Sequence, residues 1–518
     1  MPADVAQALR APAADAHHSR TDTAAGITWL IDNAEAYAAL IDACRTARTS
    51  IWITQLAFDA DCVAYAAAGE PTTITRIADV LLEASARAVD VRILLNSSML
   101  LDTATPLRAH YAAAHADGAC LRIRGISRFP QLLHAKIVVV DGREAFLVGS
   151  PFANGYWDDS QHLPTDERRP PRELGGRPLH DLSLRLSGGA ASTLGAAFVE
   201  LWNGADDIAA GDEEPMCAAM DAAPEPDGDV AIRIVQSAPR VRRALQPPER
   251  TEILPALLEG LARARRLVYV EHQYLSSLAV IGALRAALDH EPGLEVIVVL
   301  NQNPDVTAYR GWQNLRLAAS GLFDHPRVGL FALWTAAPCD ASGRTVINQV
   351  FVHSKVVVVD DRWAMVGSAN LDGVSLQTYG DDFSGWLGQH VFRGVRNFDV
   401  AAVLSATGPT ARAVLELRTA LWREHLDAPD LDAEAAPAGG WLQEWRRRAA
   451  EHARWLCAGA AIDAPRIILL PYSRSSTPIR QLGDAAGVTF ANDGLVVAFD
   501  PSWAEVHLSP NWLRNMLA

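Results

Sequence analysis

Two stretches of the chain share one arrangement of reactive side chains. LLHAKIVVVDGREAFLVGS (residues 132–150) carries His134, Lys136 and Asp141, and FVHSKVVVVDDRWAMVGSAN (351–370) carries His353, Lys355 and Asp360. Each reads His-x-Lys, four residues, Asp, then a short apolar run ending in Gly-Ser. An imidazole changes protonation near neutral pH, so one histidine can be a neutral nucleophile while another donates a proton. Lysine adds a fixed positive charge. Together they suit an anionic phosphorus centre: one histidine bonds to phosphorus, splitting a hard displacement into two easier steps. The other protonates the leaving oxygen, and Lys136 and Lys355 clamp the equatorial oxygens.

The elements around these residues follow from alternation. The Val-rich cores of both stretches read as a buried strand, a turn at Asp141-Gly142 or Asp360-Asp361, and a second strand. In a strand, His and Lys two apart share a face and reach one pocket. Upstream of the first motif, helical patterns alternate with the strands SIWITQLAF, VDVRILLN and CLRIRGI; RLVYVEHQYL, LEVIVVLNQN and RVGLFAL repeat that order before the second. Such alternation predicts an α/β layered fold. His134 to His353 is 219 residues, Gln55 to Gln273 is 218 and Trp202 to Trp422 is 220. So steady an offset is an internal duplication, and two half-domains with one motif each imply a shared site at their interface. The predicted organisation is a loose N-terminus (1–25), a first half (26–204), an acidic linker (205–229) with nine acids and no base, a second half (230–425), a linker (426–440) and a small α+β appendage (441–518).

Composition bounds the function. In 518 residues, 49% are hydrophobic and 21% charged, as expected of a globular chain of two or three domains. A net charge of −15 disfavours a general nucleic-acid binder, although a local basic cleft can sit in an acidic chain. Six cysteines lie far apart with no zinc-site spacing, so no metal is expected from them. No run of 18 apolar residues suggests a membrane span, and the first residues do not form a secretory signal. The expectation is a cytoplasmic protein, or one exported by a route that leaves no N-terminal mark.

The paired H-x-K-x4-D motifs resemble the signature of the phospholipase D superfamily. NGYWDDSQH (154–162), LHD (179–181), VYVEHQYL and the stretch from FVHSK to GSANL resemble segments of its phospholipase D proper subgroup, over roughly residues 28 to 425. The resemblance implies two α/β/α half-domains around one active site, and no cofactor. It makes His134 the nucleophile that forms a phosphohistidine and His353 the general acid, then base, although the residues alone allow the reverse. Each histidine needs an orienting carboxylate. Asp181 is the candidate for His134, and Asp381 or Asp382 for His353. Ser368 and Asn370 match the family's phosphate-binding positions; in the first copy Ser150 is kept, Phe152 departs, and Asn154 falls two positions late. Asp141 and Asp360 sit in turns and suit structural roles. Gln55 and Gln273 are possible substrate contacts. Trp157, Trp312 and Trp334 are candidates for a lipid interface, and Arg168, Arg169, Arg172 and Arg177 for anionic head groups. The implied activity is hydrolysis or transphosphatidylation of glycerophospholipids by a monomer acting peripherally at a membrane surface. A nuclease of the same superfamily and a cardiolipin-synthase-like transferase are the alternatives.

Overall fold

The computed structural model describes residues 22–24, 26–65, 74–114, 120–128, 131–170, 176–209, 212, 214–216, 230–239, 250–302, 304, 307–338, 345–376, 397–405, 409–457, 462–473 and 489–490. Its two main sheets have the same plan. In the first half the strands are β1 (Ile27–Ile31), β2 (Ser50–Thr54), β3 (Asp90–Ser98), β4 (Leu121–Ile126), β5 (Leu132–Leu133), β6 (Ile137–Val140), β7 (Glu144–Leu147), β8 (Leu179–His180) and β9 (Leu182–Ser187). The sheet runs β1-β9-β7-β6-β2-β3-β4. In the second half they are β10 (Val230–Ala238), β11 (Leu267–His272), β12 (Glu295–Leu300), β13 (Val328–Pro338), β14 (Thr345–Gln349), β15 (Phe351–Val352), β16 (Lys355–Val359), β17 (Trp363–Gly367) and β18 (Asn397–Ser405). The second sheet runs β10-β18-β17-β16-β11-β12-β13. Position by position the two orders correspond, and in both the last three strands are parallel while the motif hairpin and its neighbours are antiparallel. The duplication read from the 219-residue spacing is therefore a duplication of topology.

Alternation decides which side chains face which layer. On β6, Ile137 and Val139 join an apolar core shared by both halves, while Val138 and Val140 face the outer core of the first half. On β16, Val356 and Val358 join the shared core, while Val357 and Val359 face the outer core of the second half. Between the sheets lie the helices Gly189–Asn203 and Pro409–His425, whose Trp202 and Trp422 are completely buried. Burying the motif strands on both faces explains their unbroken valine runs.

Three boundaries differ from expectation. Asp22–Ala24, placed in the loose N-terminus, form a strand against β10. The start of the acidic linker is tied to the first half: Asp207 pairs with Arg108 at 2.6 Å, Asp212 with Arg124 at 3.1 Å and Asp206 with Arg128 at 2.6 Å. Acids that read as solvated in sequence thus neutralise arginines on or near β4. The appendage, in turn, extends the second half. Arg466–Pro471 pairs with β13 from Phe331 to Ala336, and the helix Trp441–Cys457 buries Trp441, Leu442 and Trp445 in the shared core. Among the described residues, no helix is long and apolar enough to cross a membrane.

Candidate active site

Each motif enters its sheet by way of a short strand that pairs with the other half. β5 lies parallel to β18, with Asn397 opposite Leu132 and Phe398 opposite Leu133. β15 lies parallel to β8, with Leu179 opposite Phe351 and His180 opposite Val352. The histidines follow at once: the His134 N–H donates to Phe398 O at 3.0 Å, and the His353 N–H to His180 O at 2.8 Å. They precede the long strands rather than lying in them. The two crossings place the residue after each paired dipeptide, Asp399 within β18 or Asp181 just past β8, beside the opposite half's histidine.

The orienting carboxylates are thus exchanged between halves. His134 Nδ1 lies 2.7 Å from Asp399 Oδ1, and His353 Nδ1 lies 2.8 Å from Asp181 Oδ2, all four residues being buried. Asp181 does not serve His134, as the order of the chain suggested, because β8 pairs with β15 and so delivers it to His353. Asp381 and Asp382 lie outside the described residues. Asp399 was missed by sequence reasoning, yet adding the repeat offset of 218 to Asp181 gives it directly.

The Gly-Ser endings explain how each carboxylate is held. Ser368 Oγ donates to Asp399 Oδ1 at 2.7 Å, and Ser150 Oγ donates to Asp181 Oδ2. A Cβ on Gly149 would collide with the Asp181 carboxylate, and one on Gly367 with the backbone of Val400 and Ala401, so only glycine lets the aspartate strands approach so closely. The serines expected on phosphate therefore bind the carboxylates that orient the histidines. Asn154 turns away from the histidines as well, donating to Asp61 Oδ1 at 2.6 Å. Asn370 is buried with its side-chain oxygen unpaired.

The lysines are buried beside their own histidines. Lys136 Nζ donates to His134 O at 3.1 Å; Lys355 Nζ donates to His353 O and, at 3.3 Å, to Gln273 Oε1. Burial, and then the Lys355 ammonium, lower Lys136 to about 7. Burial and Lys136 lower His134 to about 4, and burial and Lys355 lower His353 to about 3, each against the pull of its aspartate. Since Lys136 also depresses His353, and Lys355 His134, the two motifs form one electrostatic site. It is short of negative charge, as a site for a bound phosphate should be. Both carboxylates stay ionised, Asp181 at about 2 and Asp399 below its usual value, despite burial, because the charge interaction with the histidine favours the carboxylate, the histidines and serines hydrogen-bond to it, and the lysines stand near. An ionised carboxylate accepts, so Nδ1 of each histidine carries the proton and Nε2 is left free.

A strong family finding follows the same residues. The family model for the cardiolipin synthase, phospholipase D-like domain matches residues 40–154 and 257–382, one motif in each segment. The chain belongs to the phospholipase D superfamily. Among curated members it is 28% identical over 246 residues to cardiolipin synthase A of Pseudomonas putida (strain W619), covering 47% of this chain and 42% of that one. It is 24% identical over 238 residues to a phospholipase D of Phytophthora infestans, covering 36% of this chain and 12% of that one. The alignments thus span less than half the length of these relatives. The crystal structure of phosphatidylserine synthase from Haemophilus influenzae Rd KW20 shares the fold, with a TM-score of 0.53 at 12% identity over 82% of this chain and 91% of that one.

The remaining candidates divide. Asp141 accepts the backbone N–H groups of Arg48, Thr49 and Ser50, and Asp360 those of Arg265, Arg266 and Leu267. Both sit at positive φ, 51° and 53°, in the motif turns, away from the histidines. Gln55 is fully buried with both polar atoms of its side chain unpaired, unlike its repeat mate Gln273. Trp157 and Trp334 are core residues, 4% and 0% exposed, and so cannot enter a lipid surface in this state; the Trp312 side chain lies outside the described set. Arg169 is buried against Asp158, and Arg168 is held by Asp159 and Asp166. Those charges are already matched inside the protein. Arg177 lies over the Phe351 ring, and Arg172 is outside the described residues.

Proposed function

We propose that the protein is a phosphatidyl-transferring enzyme that cleaves a glycerophospholipid on the head-group side of its phosphodiester and passes the phosphatidyl group to water or an alcohol. The exchanged carboxylates carry this reading: two buried histidines, each holding a proton on Nδ1 through the opposite half's aspartate, leave two Nε2 atoms and two lysines for one phosphate. His134 Nε2 attacks phosphorus while the bond to the head-group oxygen breaks, and protonated His353 gives that oxygen its proton. In the second step neutral His353 takes a proton from water or an alcohol, whose oxygen attacks phosphorus and releases His134. Water gives phosphatidic acid; an alcohol gives a new phosphatidyl ester. A phosphodiester anion between the lysines supplies the negative charge that the free site lacks, and so raises both Lys136 and His353 toward their protonated forms.

The cardiolipin synthase relatives favour an alcohol as acceptor, and the phospholipase D relative is compatible with water. The test uses vesicles of phosphatidylglycerol, phosphatidylcholine or phosphatidylethanolamine with a primary alcohol, beside a His134→Ala control, and reads the products by mass spectrometry. A phosphatidyl alcohol formed only by the wild type supports the proposal, and cardiolipin from phosphatidylglycerol alone identifies a lipid acceptor. Cleavage of single-stranded DNA with no lipid product would overturn it.

A further inference from the structure

Behind the His353–Asp181 pair lies a second cluster of titratable groups that the chemistry above does not use. Asp32, His162 and His180 come from the first half and Glu424 from the helix Pro409–His425 of the second. One ligand atom from each lies within 4.8 Å of all the others. His180 Nδ1 is 3.1 Å from Asp32 Oδ1 and 2.8 Å from Glu424 Oε1; His162 Nε2 is 3.4 Å from Asp32 Oδ2 and 3.3 Å from Glu424 Oε1. A tetrahedron with metal–ligand bonds of about 2.0–2.1 Å has edges of about 3.3–3.4 Å. The two His162 spacings match that edge, and the two His180 spacings are shorter by about 0.2–0.6 Å.

Two further observations point to an ion. Asp32 Oδ2 and both ring nitrogens of His180 are buried and make no hydrogen bond of acceptable geometry, although carboxylates stand next to them. Asp32 itself is held at φ 62°, an uncommon conformation for a residue with a side chain. The outer nitrogens complete the pattern. His162 Nδ1 is hydrogen-bonded to Asp158 at 2.9 Å, the arrangement in which a carboxylate fixes the tautomer of a metal-ligating histidine, and His180 Nε2 stands 2.9 Å from Glu271. Asp158 is neutralised by Arg169, and Glu271 faces His425 at 2.8 Å. Asp32 and Glu424 then face the imidazoles of His162 and His180 across the cluster.

We propose that Asp32, His162, His180 and Glu424 form a structural site for a divalent transition cation of the zinc type. Two nitrogens and two oxygens in a small four-coordinate cage suit such an ion better than calcium or magnesium, which take more oxygens in wider shells. The site would fasten the second half's helix to the first half. It would also fix the segment His180–Asp181, whose carbonyl and carboxylate hold His353. The sequence hides it, because the ligands stand at 32, 162, 180 and 424.

The test is metal analysis of the full chain, purified without a histidine tag and dialysed against micromolar zinc, then against metal-free buffer. The expected result is one tightly held zinc per chain, replaceable by cobalt with the visible spectrum of a four-coordinate ion. His162→Gln and Glu424→Gln should each weaken retention at least tenfold, whereas His290→Gln, at an exposed position, should leave it unchanged. Anomalous scattering at the zinc edge from wild-type crystals locates the ion even if those variants do not fold. Folded wild type that retains no zinc, or a peak away from these four side chains, would overturn the proposal; in the first case protons alone balance the cluster. None of these readouts depends on lipid turnover, so they stand apart from the proposed activity.

Discussion

Asp399→Asn is the substitution that best separates this geometry from a generic pair of motifs. It keeps the shape of the side chain and removes one charge, 2.7 Å from His134 Nδ1 in a buried site. At an effective dielectric of about 20, a full charge on the imidazole at that distance would lose about 6 kcal/mol of attraction. Attack on phosphorus puts only part of a charge on the ring, so about 4 kcal/mol is a fair expectation, or about a thousandfold in the rate of forming the covalent intermediate. The tautomer should survive the change. Ser368 Oγ accepts from the Val400 N–H at 3.1 Å, so its own proton goes to Oδ1 of residue 399, the atom that also accepts from His134. An asparagine is thereby held with its oxygen toward the imidazole.

Adding Ser368→Ala removes that lock. The amide can then turn its NH2 to Nδ1 and move the histidine's proton to Nε2, where the nucleophilic lone pair should be. The double variant is expected to be slower than Asp399→Asn by roughly another tenfold, toward the loss of about 10⁴ known for a wrongly set histidine tautomer. Stopped-flow measurement with a phosphatidyl nitrophenol reads this directly, because its leaving group needs no proton. Asp181→Asn should keep a burst of nitrophenol and slow only the turnover that follows, since His353 acts on that substrate chiefly as the base. A rate for Asp399→Asn within tenfold of wild type would refute the orienting role. A burst lost in Asp181→Asn and kept in Asp399→Asn would refute the order of the histidines.

Other outcomes follow from the same coordinates. Lys136, lowered to about 7 in the free site, should make kcat/KM fall as pH rises through about 7, while the limb for kcat lies higher because the bound phosphodiester favours the ammonium; pH profiles with and without saturation check this. The sign for stability is opposite. With its folded value below the ordinary 10.5, the unfolded chain binds more protons between the two, so Lys136 stabilises more as pH rises across that window, and Lys136→Met should flatten this part of the Tm profile. Gln55→Leu removes two buried, unpaired polar atoms and should raise Tm slightly while raising KM for lipid if the amide meets substrate; an unchanged KM would limit Gln55 to the core. Asp141→Ala frees three backbone N–H groups at a turn open to water, and should cost about 1 kcal/mol in denaturant unfolding with kcat unchanged.

What could be read from the chain and what could not divide along one physical line. Helix and strand order, the duplication and the four motif residues are properties of local period and spacing, so valine alternation around Ile137 and Val356 and a constant offset suffice to find them. Partnership across the halves is not local. LHD follows the first motif and resembles the family's W-H-D segment, so order along the chain assigns Asp181 to His134, while the pairing of β8 with β15 assigns it to His353. The same limitation hid the serines' roles, since Gly-Ser looks like a phosphate cradle until the aspartate strand is seen lying against it. It also made Trp157, Trp334 and Arg169 look available, when partners distant in the chain bury or neutralise them. The repeat nevertheless contained the missing information. Whatever Asp181 does for one histidine, pseudo-symmetry requires a residue about 218 positions later to do for the other, and Asp399 stands there. A duplicated chain built on exchanged strands should therefore be read in pairs of positions: the offset locates the second carboxylate, and the shared site then requires that each half orient the other's histidine.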